Sequence, residues 1–361
     1  MLLENRQTTH LKTHPKQLIL MATKAPSCST RFRSPASAVW FLPAAVFILL
    51  LLLLRRPTMD PYAPATPRGP VSPRRAELYG RMARDLDERG AAFLKGGETS
   101  QSLALSDLFD VRDGAVVPKL KVKASPSPAL AVGMREFLIC DCCSSHQAAE
   151  PPVRANVLYL DPEFAAEIAK AVKEVFLPYF DKAIWFQNSS MYHFSMFHAS
   201  HHLEPILATR DEIEAEVDAV TRVTEAVCPL KISLDRVVLT STGVLLGLWQ
   251  VESGTDPADI RSKLREALPR APKKQLYDSV LLHTSFARIL GPPKLPQQED
   301  TSSFGHIKFF HGLVAQVNGK IGGFQAKVSE LWYVEEYDVL ALALNGKMKV
   351  RRLHLGCNEG H

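Results

Sequence analysis

Cysteine is scarce and unevenly spread. The 361 residues hold six, three of them crowded at Cys140, Cys142 and Cys143, which is not the pattern of a disulfide framework. Those three with His146 hint at zinc, but no second ligand pair stands at the spacing of a ribbon or finger. The stretch reads instead as an irregular insert with free thiols. Positive charge is also short where a duplex binder would need it. Eleven of the 43 Lys/Arg and two of the 38 Asp/Glu fall in residues 1–75, leaving 32 against 36 in the rest. That remainder is net acidic, which excludes a long nucleic-acid track and leaves room for a small phosphate ester or an RNA end. A third absence concerns the N-terminus, where no small-residue cleavage pattern follows the apolar run, so a removed signal peptide is not expected.

What is present at the N-terminus reads as an anchor. Residues 1–36 form a basic tail, and Ser37 to Leu54 is an almost purely apolar run of 18 residues closed by Arg55-Arg56, just long enough to span a bilayer. Three Lys/Arg precede the run (Lys24, Arg31, Arg33) and five follow it (Arg55, Arg56, Arg68, Arg74, Arg75). The positive-inside rule therefore leans towards a cytoplasmic C-terminal domain. The margin of that count is small and keeps a lumenal domain open. Met21 is an alternative start, and the acid-free Ser/Thr/Arg-rich stretch after it keeps an organellar address open. Residues 55–75, with six prolines between Pro57 and Pro73, read as a semi-rigid tether.

Composition beyond the tether is that of a globular protein, with length for about two domains. Arg75 to Leu94 has helical apolar spacing and is expected on the surface. Leu103 to Val122 suggests extended pieces around an Asp113-Gly114 turn. Residues 76–152 make a membrane-proximal region, and from 153 to 361 the chain becomes regular. Arg154 to Leu160 is a strand candidate. Asp161-Pro162 and Asp256-Pro257 each open a helix, and Thr209 to Glu212 is a capping box. Thr242-Gly243 and Asn345-Gly346 mark hairpins, the second joining Val328–Leu344 to Lys347–Leu355.

One tetrapeptide pattern occurs twice, as His193-Phe194-Ser195-Met196 and His283-Thr284-Ser285-Phe286, each in a strand-like run. On a strand, residues two apart share a face, so His193 projects with Ser195 and His283 with Ser285. Each motif follows an Asp-Pro helix. Two related half-domains would bring two imidazoles and two hydroxyls to one cleft, a set suited to proton transfer around a phosphate.

These paired motifs resemble the two-histidine (2H) phosphoesterase superfamily, and within it the plant-type RNA ligase/cyclic nucleotide phosphodiesterase family. The likeness covers roughly residues 153 to 293. It implies a bilobal, pseudo-symmetric α+β fold behind the one transmembrane helix, no cofactor or required metal, and action on 2′,3′-cyclic phosphates or RNA-end phosphoesters. His193 and His283 would be catalytic, with Ser195 and Ser285 holding non-bridging oxygens. Hydrolysis and transesterification both remain open, as does a tethered nucleotide- or RNA-binding protein without turnover.

Other residues carry weaker signals. His198, His201 and His202 suggest a metal or phosphate cluster, but strict alternation turns His198 away from His193. The same rule turns Arg288 away from His283 and Ser285. Trp185, Phe186, Tyr192 and Trp249 could stack on a base, although strand aromatics usually fill cores. Asn188-Ser189-Ser190 is a glycosylation sequon, relevant only if the domain is lumenal.

Overall fold

The computed structural model describes residues 72–95, 108–112, 115–119, 148–180, 182–295 and 303–357. The basic tail, the apolar run 37–54, nearly all of the tether and the insert holding Cys140, Cys142 and Cys143 lie outside them. Among the described residues no helix is long and apolar enough to cross a membrane.

In chain order the elements are α1 (Pro73–Arg89), β1 (Phe109–Arg112), β2 (Ala115–Pro118), β3 (Ala148–Tyr159), α2 (Pro162–Phe176), β4 (Ile184–Phe186), β5 (His193–Ser200) and α3 (Arg210–Thr224). There follow β6 (Leu230–Leu239), β7 (Val244–Ser253), α4 (Pro257–Ala267), β8 (His283–Ile289), α5 (Ser303–Ile321), β9 (Gln325–Val328), β10 (Glu330–Asp338), the short α6 (Ala341–Leu344) and β11 (Met348–His354). The strands β1 and β2 pair with each other. Two antiparallel sheets carry the rest, ordered β11-β10-β3-β5 and β4-β8-β7-β6-β9. This is an α+β architecture of two lobes, one sheet to each.

The half-domain repeat is visible in both lobes. A strand (β3 or β7) leads to an Asp-Pro helix (α2 or α4), which returns to a motif strand (β5 or β8) antiparallel to the first. Asp161 Oδ1 accepts the Glu163 N–H at 3.0 Å and Asp256 Oδ1 accepts that of Ala258 at 2.9 Å. Each aspartate thus satisfies an otherwise orphaned donor, while the proline that follows has no N–H to lose. Thr209 and Glu212 close the expected capping box on α3. On α2, Ile168, Val172, Val175 and Phe176 face the core, each contributing roughly 1.5–3 kcal/mol by leaving water.

The first helix lies on the surface as expected, with Tyr79, Ala83 and Leu86 on the face it packs against the main core. Three features depart from the sequence expectations. The Asn345-Gly346 hairpin is not a two-residue turn, because β10 ends at Asp338 and α6 intervenes. Leu340 (φ 53°) and Asn345 (φ 57°) bracket α6 in left-handed conformations, and the Asp338 carboxylate accepts the Lys347 N–H across the loop at 2.6 Å. The helix α5 was not anticipated, since Gly312 and Gly319 dilute its pattern. Finally, Cys228 and Cys357 form a disulfide with Cα atoms 4.6 Å apart. Spacing could not reveal a pair 129 residues apart, and among the described residues this single bridge stands where the sequence suggested no disulfide framework.

Candidate active site

Both motif strands begin at their histidine. On β5 the register pairs His193 with Tyr159 and Ser195 with Val157, and then Phe197 with Asn156 and His198 with Ala155. Two residues of β5, Met196 and Phe197, therefore take up one step of β3, which is a β-bulge just after the serine. Tyr159, Val157 and Ala155 alternate along β3, so His193, Ser195 and His198 share one face. The second motif repeats the arrangement. Leu248, Leu246 and Val244 of β7 pair with His283, Ser285 and Arg288, and the bulge again follows the serine, at Phe286. Strict alternation had excluded His198 and Arg288, and the bulges reverse that for both. A repeated bulge has no signature in a single His-x-Ser tetrapeptide, which is why these two residues were missed.

Close packing holds the second bulge. Phe286 is buried against Gly247, where a Cβ would come within 2.3 Å of the Phe286 ring. Only glycine lets the ring lie that near the backbone of β7.

The histidines differ in their surroundings. His193 Nδ1 lies 2.8 Å from the Met191 carbonyl, so it donates there and leaves Nε2 to carry the exchangeable proton. Burial lowers the His193 pKa, and the bond to Met191 works against that shift. His283 is pushed down to about 3 by burial first, then by the Arg261 guanidinium and by His193. Its Nδ1 is buried without a hydrogen-bond partner. Tyr277 packs against the second motif, its ring centroid 5.0 Å from that of His283; burial raises its phenol, and the Ser195 side chain opposes that shift. Arg288 senses Tyr277, is lowered to about 10 by burial, and has Nη1 buried with no partner. An unpartnered guanidinium N–H on the face that carries His283 and Ser285 can receive an anionic oxygen.

The segment leading into His283 is held along its whole length. Arg261, 6% exposed on α4, donates Nη1 to the Ser279 carbonyl (2.6 Å) and Nη2 to that of Leu281 (2.7 Å). The same guanidinium reaches the first motif, with Nη2 on the Ser195 carbonyl (2.9 Å) and Nε on that of Met196 (3.0 Å). Arg75 of α1 donates Nε to the Val280 carbonyl at 2.8 Å. The Tyr79 hydroxyl lies 2.9 Å from the Leu282 carbonyl and accepts the Leu282 N–H at 3.2 Å. Four successive carbonyls before His283 are thus met by side chains from two helices.

The remaining candidates are structural. His201 is saturated, with Nε2 bonded to the Lys274 carbonyl (2.9 Å) and Nδ1 accepting from Glu204 (3.2 Å). His202 is exposed, and among the described residues no three His, Cys, Asp or Glu converge as a metal site. Tyr192 and Trp249 are core residues, and Phe186 packs on the same core. Trp185, opposite Arg288, donates Nε1–H to the Ala343 carbonyl at 3.3 Å.

No family model matches the chain, nor does any curated protein sequence. Solved structures similar to it include TT0787 of Thermus thermophilus, 12% identical, with 57% of this chain and 100% of that one covered at a TM-score of 0.37. E. coli LigT in complex with 3′-AMP is 12% identical over 57% of this chain and 99% of its own, at 0.33. A structure described as a phosphoesterase is 13% identical over 57% and 99%, at 0.35.

Proposed function

We propose that the chain is a membrane-anchored phosphodiesterase, held by residues 37–54, that opens 2′,3′-cyclic phosphates or trims RNA-end phosphoesters without a metal. The observation that carries this reading is the doubled face His-x-Ser-(bulge)-His/Arg, which puts an imidazole, a hydroxyl and a further histidine or arginine on one side of each motif strand, with Arg261 joining the two motifs. Nothing in core packing requires that set twice.

The surroundings divide the roles. His193 keeps its bond to Met191 whether neutral or charged, so a proton at Nε2 costs no hydrogen bond. His283 sits beside the Arg261 cation, which opposes its imidazolium. In this reading His283 is the base that takes a proton from water, or from a ribose hydroxyl in transesterification. His193 is the acid that returns one to the departing ribose oxygen. Each such group is typically worth ~10²–10⁴-fold. Ser195, Ser285 and Arg288 bind the non-bridging oxygens where charge builds.

The test offers 2′,3′-cyclic mononucleotides and short RNAs to the full-length protein in detergent with chelator present, beside His193→Ala and His283→Ala. Histidine-dependent ring opening or end trimming is expected. Binding of the same nucleotides without any product would instead support a tethered nucleotide-binding protein.

A further inference from the structure

The chain contains one Asn-x-Ser/Thr sequence, Asn188-Ser189-Ser190. Asn188 is exposed and caps the short 3-10 turn Ser189–Met191. Its Oδ1 accepts both the Ser190 N–H (3.0 Å) and the Ser190 hydroxyl (2.9 Å). Its Nδ2 makes no hydrogen bond among the described residues. The nitrogen that would become glycosylated is therefore free and turned to solvent, with the sequon hydroxyl already against the amide.

An independent observation concerns the compartment. The Cys228–Cys357 bridge ties the turn after α3 to the residues that follow β11. Disulfides persist in oxidising compartments and are rare where glutathione keeps thiols reduced. Asn-x-Ser acceptors are used in the same secretory compartments.

From these two observations, the geometry points to a lumenal catalytic unit that carries an N-glycan on Asn188 and a structural disulfide between Cys228 and Cys357. In the first modification Asn188 Nδ2 bonds to the anomeric carbon of a lipid-pyrophosphate-linked oligosaccharide. The anomeric C–O bond breaks, and the amide proton departs with the lipid pyrophosphate. In the second the two thiols pass two electrons and two protons to an enzyme disulfide, which is reduced to a dithiol. The glycan would stand at the rim of the site, five residues before His193, where the Met191 carbonyl receives His193 Nδ1–H. This orientation is opposite to the one favoured by five Lys/Arg after the apolar run against three before it.

The full-length chain is expressed in cells with a secretory pathway and treated with peptide-N-glycosidase. A mobility shift of one glycan is expected, lost in Asn188→Gln and Ser190→Ala and kept in Ser190→Thr. Non-reducing digestion should yield one peptide pair joined through Cys228 and Cys357. An unshifted chain whose two cysteines alkylate without reduction overturns the proposal. A joined pair without a shift overturns the glycan, and a shift with free thiols overturns the bridge. Neither readout needs turnover, so both hold even if no phosphoester is a substrate.

Discussion

His198 and Arg288 occupy the same place on their two strands. Each is the third residue after a motif serine, and each is returned to the histidine face by a bulge at the residue following that serine. The lobes are therefore alike in backbone and unlike in charge at this one position. Arg288 is a cation with an open N–H, whereas His198 is driven neutral by burial and by the surrounding His201, His202, His193 and Arg261. Of these two matched positions only Arg288 carries a charge, and a phosphoester anion held by the motifs should lean towards the β8 side.

That asymmetry gives the first prediction. Arg288→Met removes the guanidinium and leaves the aliphatic stem, and kcat/KM for a cyclic nucleotide should fall by ~10²–10³-fold, the usual scale for losing one donor to a developing oxyanion. Arg288→Lys should recover only part, because a point charge cannot replace a planar fork. His198→Phe should stay within a few-fold of wild type. Steady-state kinetics on the three variants decide it, and equal losses at 198 and 288 would refute the one-sided lean.

A second prediction follows from the unequal histidines. As the base, His283 must be neutral, and its pKa lies at about 3. His193, as the acid, must be protonated, and burial sets its pKa below 6.5. The kcat/KM profile reports the free enzyme, so it should peak on the acid side of pH 6.5 and fall about tenfold per unit well above it. His193→Gln should lose the alkaline limb as well as rate. A profile that climbs through pH 7 to a plateau would mean that His193 does not act as the acid.

The two motif strands, their Asp-Pro helices and the capping box were legible because their signals are local. A cap needs only neighbouring residues, and alternation carries His193 with Ser195 at a distance of two. Alternation then misled at His198 and Arg288, because a bulge is set by the partner strand and by packing such as Phe286 on Gly247. The roles of Arg75, Tyr79 and Arg261 were also hidden. They act on the carbonyls of residues 279–282, and a side chain that serves backbone 18 to 205 residues away leaves no pattern in sequence. Long separation hid the Cys228–Cys357 bridge in the same way.

Buried neutral histidines predict an acid-sensitive fold. His198 stays uncharged to about 3 in the folded chain, against ~6.5 when unfolded. A base with a depressed folded pKa contributes stability that is present above the unfolded pKa and is lost as pH falls towards the folded one. The loss approaches ~1.4 kcal/mol per pH unit for each such residue, and His283 adds with the same sign. Glu336, raised to about 7 by burial, has the opposite sign, losing its contribution as pH rises through 7. Urea midpoints from pH 4 to 7 for wild type and His198→Phe separate these effects, since Glu336 is common to both. The variant should show the shallower acid decline, and parallel curves would remove His198 from the account.

The last prediction concerns residues that act through others. Arg261 joins the first bulge, at the Ser195 and Met196 carbonyls, to the approach of the second motif, at Ser279 and Leu281. Lysine would keep the charge but cannot reach four carbonyls, so Arg261→Lys should relax the spacing of the motifs. A shift of about 1 Å can cost ~10²-fold in rate, and the loss should fall on kcat with KM changed little. Arg261→Gln removes the cation as well, which should raise the His283 pKa. NMR titration of the histidine ring protons should detect that shift in the Gln variant and not in the Lys variant. Tyr79→Phe leaves the Leu282 N–H without its partner at a buried site, a cost of ~1–3 kcal/mol that denaturant melts would register. If Arg261→Lys retained wild-type kcat and Arg261→Gln left His283 unmoved, the clamp would be a matter of stability alone.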